Sequence, residues 1–332
     1  MSQGIAKTPR KEMDVLNLLK ILACLLITNS HCREIYPVSV LAVGGGFGNA
    51  IFFGVSGFLL AQVKTGFFPW FAKRTRRILP ETLLFVLVSA LVLDFGTLRT
   101  LSAWECIFLF MDKYWFVWAL FLYLPVFYLL FYGKNKAPYI AALVYAVGYA
   151  LLYVFTVDKS VFSVELAGFH PFKVYFYFGT FLFGGIFRKL LLEGDFDGKR
   201  RNGRARLAAI PVMLLGAGIW AITYYFVTVR EMFLSLQFLI HVGTMLVLMG
   251  VMHFTNTFRD LTLPEGKFAS LIRVVAGSTL EIYLLQVTVV HSIEILPFPV
   301  NAILFFTIAF VGGTLFAILW KKIFELPKKQ SK

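Results

Sequence analysis

Apolar segments long enough to span a membrane recur along the whole chain, separated by short polar or basic stretches. A transmembrane helix needs about 20 mostly apolar residues. From this pattern we predict spans near residues 15–32, 45–63, 79–96, 114–132, 138–156, 172–190, 207–227, 232–254, 276–295 and 298–320. The predicted fold is an all-α integral membrane protein, one bundle of about ten transmembrane helices over residues 1–332.

The first span carries its polar residues on one face. In the predicted helix Asn17–Glu34, Lys20 and His31 are eleven residues apart, hence about 20° apart around the helix and about 16 Å apart along it. Cys24 and Thr28 fall near the same stripe. Each residue also has a non-functional interpretation. Lys20 could be an anchor that extends its charged end to the membrane surface, and His31 could be a hydrogen-bonded structural residue. Their shared stripe favours a functional pathway inside the bundle.

Composition and charge support a membrane protein. The chain is 59% hydrophobic and 15% charged, which excludes an ordinary soluble domain. With the N-terminus inside, 25 of the 32 Lys and Arg residues fall in predicted inner segments and 6 in outer ones. This asymmetry predicts that both termini are cytoplasmic, with 1–14 a flexible head and 321–332 a tail. The net charge of +14 therefore reflects topology and needs no nucleic-acid partner, and we predict neither a cleavable signal peptide nor a separate soluble domain.

A basic cluster follows the second span, in the stretch 64–80. It contains Lys73, Arg74, Arg76 and Arg77 beside several aromatic residues. On a helix, Arg74 and Arg77 would point together, and two planar guanidiniums suit the recognition of phosphate. The alternative is an ordinary positive-inside loop with an aromatic belt.

Other candidate functional residues are polar or aromatic side chains within the predicted spans or at their ends. Asn49 and Ser56 are seven apart in a glycine-rich span and lie near one face. Tyr114 and Trp115 open the fourth span as an interfacial belt or as a platform on which a sugar could stack. Glu281 is an intramembrane acid, and we expect Lys20 or an arginine of the 73–77 cluster as its partner. The three cysteines have no metal-ligand spacing, so no metal site is predicted.

Several stretches taken together resemble a known family. Lys20-x10-His31, GNAIFFGVSGFLL, FAKRTRRILP, YWFVWALFLYLP and STLEIYLLQ resemble, in this order, motifs of the membrane acyltransferase-3 family. That family includes bacterial O-antigen and exopolysaccharide O-acetyltransferases. The chain departs from the family's pattern at three positions: Lys20 stands where many members have Arg, Asn17 where many have Asp, and Gln286 where many have His.

The resemblance implies an acetyl-CoA-dependent O-acetyltransferase. Such an enzyme sits in the bacterial inner membrane as a multi-pass protein. It moves an acyl group, usually acetyl, from cytoplasmic acyl-CoA to a sugar hydroxyl of an envelope glycan or its lipid-linked precursor. The acyl-CoA is a cosubstrate, so no permanently bound cofactor is expected, and the expected partners are acyl-CoA, the glycan and membrane lipids.

The same resemblance, read with the residue chemistry, suggests individual roles. The candidate catalytic residues are His31 and Lys20. His31 would be the general base, since an ordinary imidazole with a pKa of about 6.5 is largely neutral at pH 7, and Lys20 would lie on the donor's path through the bundle. The candidates for binding CoA are Arg74, Arg77, Arg76 and Lys73. The candidates for binding substrate are Asn49 (as an oxyanion donor), Ser56, Glu34 (orienting His31), Tyr114 and Trp115.

A transporter or flippase for a lipid-linked sugar is the alternative function. In that interpretation, the intramembrane charges Lys20 and Glu281 would act in gating. The sequence shows no inverted repeat and no matching pair of broken helices, which favours the acyltransferase. Binding of acetyl-CoA to the purified protein would separate the two.

Overall fold

A computed structural model describes residues 14–93, 102–133, 136–166, 168–193, 209–258, 262–293 and 295–324, and these ranges are helical without a β-strand. The helices are α1 (Asp14–Ser30), α2 (Gly45–Leu60), α3 (Phe67–Val88), α4 (Ala103–Lys113), α5 (Trp115–Phe131), α6 (Ala137–Thr156), α7 (Pro171–Leu192), α8 (Ala209–Tyr224), α9 (Phe238–Thr257), α10 (Lys267–Gly277), α11 (Thr279–Ile293), α12 (Val300–Thr307) and α13 (Gly313–Phe324). Turns of π-helix extend α3 and α8 and join α12 to α13.

Within the described ranges, several helical segments are long and apolar enough to cross a membrane. They are Ser39–Leu60, Ala137–Thr156, Ala209–Val229, Leu234–Thr257 and Val300–Phe324, and the pair α10–α11, bent by 61°, is a sixth candidate. On α6, Leu143 is 69% and Phe155 79% exposed, as expected for side chains that face lipid rather than water. The all-helical prediction is confirmed, whereas the count of ten spans and the cytoplasmic termini stay predictions.

The first helix ends earlier than the predicted Asn17–Glu34. It stops at Ser30, and the amides of His31 and Cys32 instead bond three residues back, to Thr28 and Asn29. The Asn29 side chain favours this early end of the helix. Its amide donates to the carbonyls of Leu41 and Val43 in the segment that follows α1, and these bonds compete with continuation of the helix. His31 therefore lies just beyond α1, and Glu34 is exposed one turn further on.

The basic stretch 64–80 is also helical from residue 67. It forms the first half of α3, which continues through Pro80 into the third predicted span. Aromatic contacts explain this extension, since Phe67 and Trp70 pack edge-on against Tyr128 of α5 at 5.1 and 5.4 Å between ring centroids. The arginines are therefore fixed on a helix instead of a loop.

An aromatic core joins α2, α5 and α7. Phe53 of α2 stacks on Phe116 at 4.2 Å and lies 5.2 Å from Tyr123, both of α5. Phe181 of α7 packs 4.6 Å from Phe127, one turn beyond Tyr123 on the same face of α5. These rings are 4% exposed or less, so the interior of this part of the bundle is filled by side chains.

Glycines bring α2 and α7 into backbone contact. A Cβ on Gly184 would lie 1.9 Å from the carbonyl oxygen of Gly54, and a Cβ on Gly57 would lie 1.9 Å from that of Phe181. Such separations leave no room for any side chain at either glycine. The two helices cross as closely as small residues allow in membrane bundles.

An ion pair between a buried carboxylate and a partly exposed guanidinium connects the start of α1 to α10. Asp14, 1% exposed, accepts bonds from Nε and Nη2 of Arg273, both at 3.1 Å, and from the Leu263 amide at 2.8 Å. The hydrogen bond from Arg273 holds the pKa of Asp14 below its ordinary value. The stabilisation this gives is present above the unfolded-state pKa of about 3.9 and is lost as the pH falls through the lower folded value.

We expect Asp14→Asn to destabilise the protein by about 1–3 kcal/mol, because the substitution leaves the Arg273 guanidinium with a neutral acceptor. The melting temperature in detergent at pH 7 measures this effect. Asp158→Asn is the matched control, since that carboxylate bonds locally to Ser160 in an exposed turn. Equal melting temperatures for Asp14→Asn and the wild type would contradict a stabilising role for the pair.

Candidate functional site

A cavity of about 250 Å³ lies between α1, α2, α3, α5 and the bend between α10 and α11. Apolar side chains such as Phe52 and Val55 of α2 and Leu120 of α5 form much of its wall. The polar side chains that line it are Lys20, Ser56, Arg74, Arg77, Glu81, Thr279, Glu281, Tyr283 and Gln286. A mostly apolar cleft with a few convergent polar groups is typical of a ligand site.

Three of the predicted basic residues meet at this cavity. Lys20 reaches it from α1, and Arg74 and Arg77 reach it from α3. The Arg74 guanidinium lies 3.8 Å over the Trp70 ring and donates to the Trp70 carbonyl at 2.6 Å, which fixes its position. Arg77 is exposed and so marks the mouth of the cavity.

The other two basic candidates lie elsewhere on the same helix. Lys73 and Arg76 are exposed, and neither is among the described residues that line the cavity. They add positive charge around the mouth without reaching the interior.

Two carboxyl groups face each other in the cavity wall. Glu81 of α3 and Glu281 of α11 are 5% and 3% exposed, and their side chains are in hydrogen-bond contact, with Arg77 and Lys321 close enough to act on both. The two carboxyls and the two nearby cations therefore form one cluster of interacting ionisable groups at this wall of the cavity. For Glu281 the sequence predicts Lys20 or an arginine of the 73–77 cluster as the partner. The structure places Arg77, a member of that cluster, close to Glu281 and adds a contact with Glu81 that the sequence does not predict.

The end of the cavity away from Arg77 is closed by a contact between α1 and α11. The Thr28 hydroxyl donates its single proton to Oε1 of the side-chain amide of Gln286. Gln286 is fully buried, and its Nε2 has no hydrogen-bond partner in the described part of the chain. A buried donor without a partner costs about 1–3 kcal/mol, so this atom calls for a functional explanation.

His31 lies beyond this closed end. On α1 the lining reaches Ile27, and His31, four residues further on, is half-buried and is not among the described lining residues. The cavity and the imidazole are therefore separate in this conformation, with the Thr28–Gln286 contact near the boundary. Glu34 is exposed beyond it.

The remaining predicted residues are divided between the cavity and the core. Ser56 lines the cavity. Tyr114 is fully buried, with its hydroxyl 2.9 Å from that of Thr288 on α11. The ring of Trp115 is half-buried and lies 4.1 Å from Nζ of Lys173. Only one of these three side chains thus borders the basic cavity.

Asn49 belongs to a second polar cluster outside the cavity. Its side chain hydrogen-bonds with Tyr177, whose hydroxyl donates to Glu165 at 3.1 Å. Nε2 of His241 is also 3.1 Å from Glu165, and Nδ1 of His241 is 2.8 Å from the Tyr149 hydroxyl. The structure thus pairs His241 of α9 with Glu165 in this second cluster.

The cavity can bind an anion at its mouth and an uncharged chain inside. The guanidiniums supply donors for phosphate, the apolar wall suits a neutral chain, and Gln286 supplies a donor at the closed end.

Sequence reasoning missed Glu81 and gave Gln286 no role. Both are polar residues within otherwise apolar spans, a signal that could have singled them out. Within the described residues, no three His, Cys, Asp or Glu side chains gather as metal ligands would.

Comparison with known proteins identifies the chain at the level of the family. A family model described as an acyltransferase domain, Acyl_transf_3, matches residues 13–320. No curated protein and no solved structure matches the chain. The match covers α1 to α12 and most of α13, and so includes every residue of the cavity.

Proposed function

The chain belongs to the acyltransferase-3 family and is a membrane acyltransferase, and from this premise we propose that it is an acyl-CoA-dependent O-acyltransferase. The acyl group is acetyl. The acceptor is a sugar hydroxyl of a bacterial cell-envelope polysaccharide or of its lipid-linked precursor.

The basic cavity is the observation that carries this proposal. Acyl-CoA combines a polyanionic nucleotide end with a long uncharged pantetheine arm. Arg74 and Arg77 provide a positive mouth, and the apolar walls of α2 and α5 continue inward from it.

The distribution of charge supports a cytoplasmic mouth. Under the ten-span topology, the predicted inner segments hold 25 of the 32 Lys and Arg residues, including Arg74 and Arg77. Cytoplasmic acyl-CoA then enters from the side on which it is made. We place the protein in the bacterial inner membrane with both termini in the cytoplasm.

His31 acts as the general base in this mechanism. It accepts the proton of the acceptor hydroxyl as that oxygen attacks the thioester carbon, and the proton then passes to the departing sulfur. Because the described lining on α1 ends at Ile27, below His31, turnover requires the cavity to extend alongside the Thr28–Gln286 contact to the imidazole. Lys20 lines the donor's path before that point.

Acetyl-CoA binding and glycan acetylation test the proposal together. The purified protein in detergent is titrated with acetyl-CoA, and surface glycans from cells with and without the protein are compared by mass spectrometry. Saturable binding and acetyl groups that depend on the protein are expected. Absence of acetyl-CoA binding would favour the transporter instead.

We expect the double variant Arg74→Gln/Arg77→Gln to weaken acetyl-CoA binding at least about tenfold, because two charge-assisted contacts to phosphate are lost. Calorimetric titration measures the change. Lys73→Gln/Arg76→Gln removes the same charge from the exposed face of the same helix and is expected to weaken binding far less. Equal losses in both double variants would show that overall charge, and not the cavity mouth, governs binding.

A further inference from the structure

We propose that the side-chain amide of Gln286 is the hydrogen-bond donor that stabilises the oxyanion formed during acyl transfer. This proposal rests on the proposed function, because it places the thioester of the acyl donor in the cavity. It assigns a catalytic role to a residue to which the sequence gives none.

The first argument is the state of the amide itself. Gln286 is fully buried on α11, and its Nε2 lacks a hydrogen-bond partner among the described residues. The side chain lines the cavity, so a ligand there can supply the missing acceptor. Buried donors are almost always satisfied, so an unsatisfied one at a cavity wall points to a partner that arrives from outside.

The second argument is the way the amide is held. The contact between the Thr28 hydroxyl and the Gln286 amide involves Oε1. Because a carboxamide is planar, fixing its oxygen also fixes the direction of Nε2. Thr28 is itself fully buried on α1. A donor positioned before the substrate binds is the arrangement that stabilises developing charge most effectively.

The third argument is the place of the amide along the cavity. The phosphates of the donor are expected at Arg77, so the acyl end reaches furthest inward. Lys20 and Thr28 are eight residues apart on α1, about 12 Å along the axis. Gln286 lies at the level of Thr28, where the acyl carbon would stop, and His31 follows one turn beyond. Asn49, the donor suggested by the sequence, is bonded to Tyr177 outside the cavity.

The proposed acyl transfer needs only the thioester, the acceptor hydroxyl, His31 and Gln286. The acceptor oxygen forms a bond to the thioester carbon and gives its proton to His31. The carbonyl π pair moves to the carbonyl oxygen, which receives the hydrogen bond from Nε2 of Gln286. When the carbonyl re-forms, the carbon–sulfur bond breaks, its electron pair leaves with sulfur, and His31 returns the proton to that sulfur.

Two variants test the proposal. Gln286→Met keeps the length of the side chain but removes the donor, and we expect kcat to fall about 10²–10³-fold with acetyl-CoA binding unchanged within about twofold. Gln286→His restores an N–H donor and should recover part of the lost rate. A purely structural role predicts loss of binding and stability in both variants.

Isotope-edited infrared spectroscopy reads the hydrogen bond directly. Acetyl-CoA labelled with ¹³C at the thioester carbonyl is bound to the wild type and to each variant. We expect the carbonyl band of the bound donor to lie at lower frequency than that of free acetyl-CoA in the wild type and in Gln286→His, and to return towards the free value in Gln286→Met.

The outcomes separate this inference from the proposed function. A wild type that neither binds acetyl-CoA nor acetylates glycan removes the proposed function. An active wild type with an unshifted carbonyl band overturns the role of Gln286 alone, even if Gln286→Met fails to fold. Retention of kcat or of the band shift in Gln286→Met overturns it as well.

Discussion

Replacing His31 by alanine is expected to lower acyl transfer at least about a hundredfold, since a positioned general base contributes about 10²–10⁴-fold. His31 lies beyond the described lining of the donor cavity, so acetyl-CoA binding should change less than about twofold. Initial rates of ester formation and the dissociation constant for acetyl-CoA, both measured on purified protein, separate the two effects.

His253→Ala is the matched control for this experiment. His253 lies on α9 and is not among the described lining residues of the cavity, so its replacement should leave the rate near that of the wild type. An active His31→Ala enzyme would remove the general base from the mechanism. Loss of acetyl-CoA binding in His31→Ala would instead indicate that the imidazole supports the donor cavity.

Replacing Gly184 by valine is expected to prevent accumulation of the folded protein. Even the first carbon of the new side chain would lie 1.9 Å from the Gly54 carbonyl oxygen, and the obstacle is backbone that no rotamer change can move. The helices α2 and α7 would have to separate, opening the aromatic core around Phe53 and Phe181. Fluorescence-detected size-exclusion chromatography of detergent extracts would show the loss of the monodisperse peak.

Gly218→Ala provides the contrast. Gly218 lies in the middle of α8, and a Cβ there meets no described atom within 4 Å. Alanine favours helix over glycine by up to about 1 kcal/mol, so this variant should elute like the wild type with an equal or higher melting temperature. A folded Gly184→Val protein would show that the α2–α7 crossing is more adaptable than its geometry indicates.

Periodicity and hydrophobicity predict most of the helices but not where each one ends. The boundary after Ser30 depends on Asn29, whose side chain bonds the carbonyls of Leu41 and Val43 twelve and fourteen residues later. The helix around Arg74 depends on the edge-on contact between Phe67 and Tyr128. Both are tertiary contacts, and no window of local sequence contains them.

The sequence predicts those parts of the candidate site whose residues lie close together on one helix. Arg74 and Arg77 are three residues apart, so any helix brings them together, and the structure places them with Lys20 at one cavity. Glu81 and Glu281 are far apart in sequence, and only the packing of α3 against α11 brings them into contact. The importance of Gln286 rests on an absent hydrogen-bond partner, a property that exists only after the bundle is assembled.

The glycine contacts join the helices around the cavity in two sets. Gly48 brings α2 against the Ala23 carbonyl of α1, just as Gly57 brings it against α7, while Gly313 brings α13 against the backbone of Ile282 in α11. Between the two sets, the described contacts are made by side chains: Cys24 packs against Ile282, Thr28 meets Gln286, and Asp14 pairs with Arg273. Because side chains adapt more readily than backbone, we expect a change in the width of the cavity to come from movement between the two sets, with each set moving as a unit.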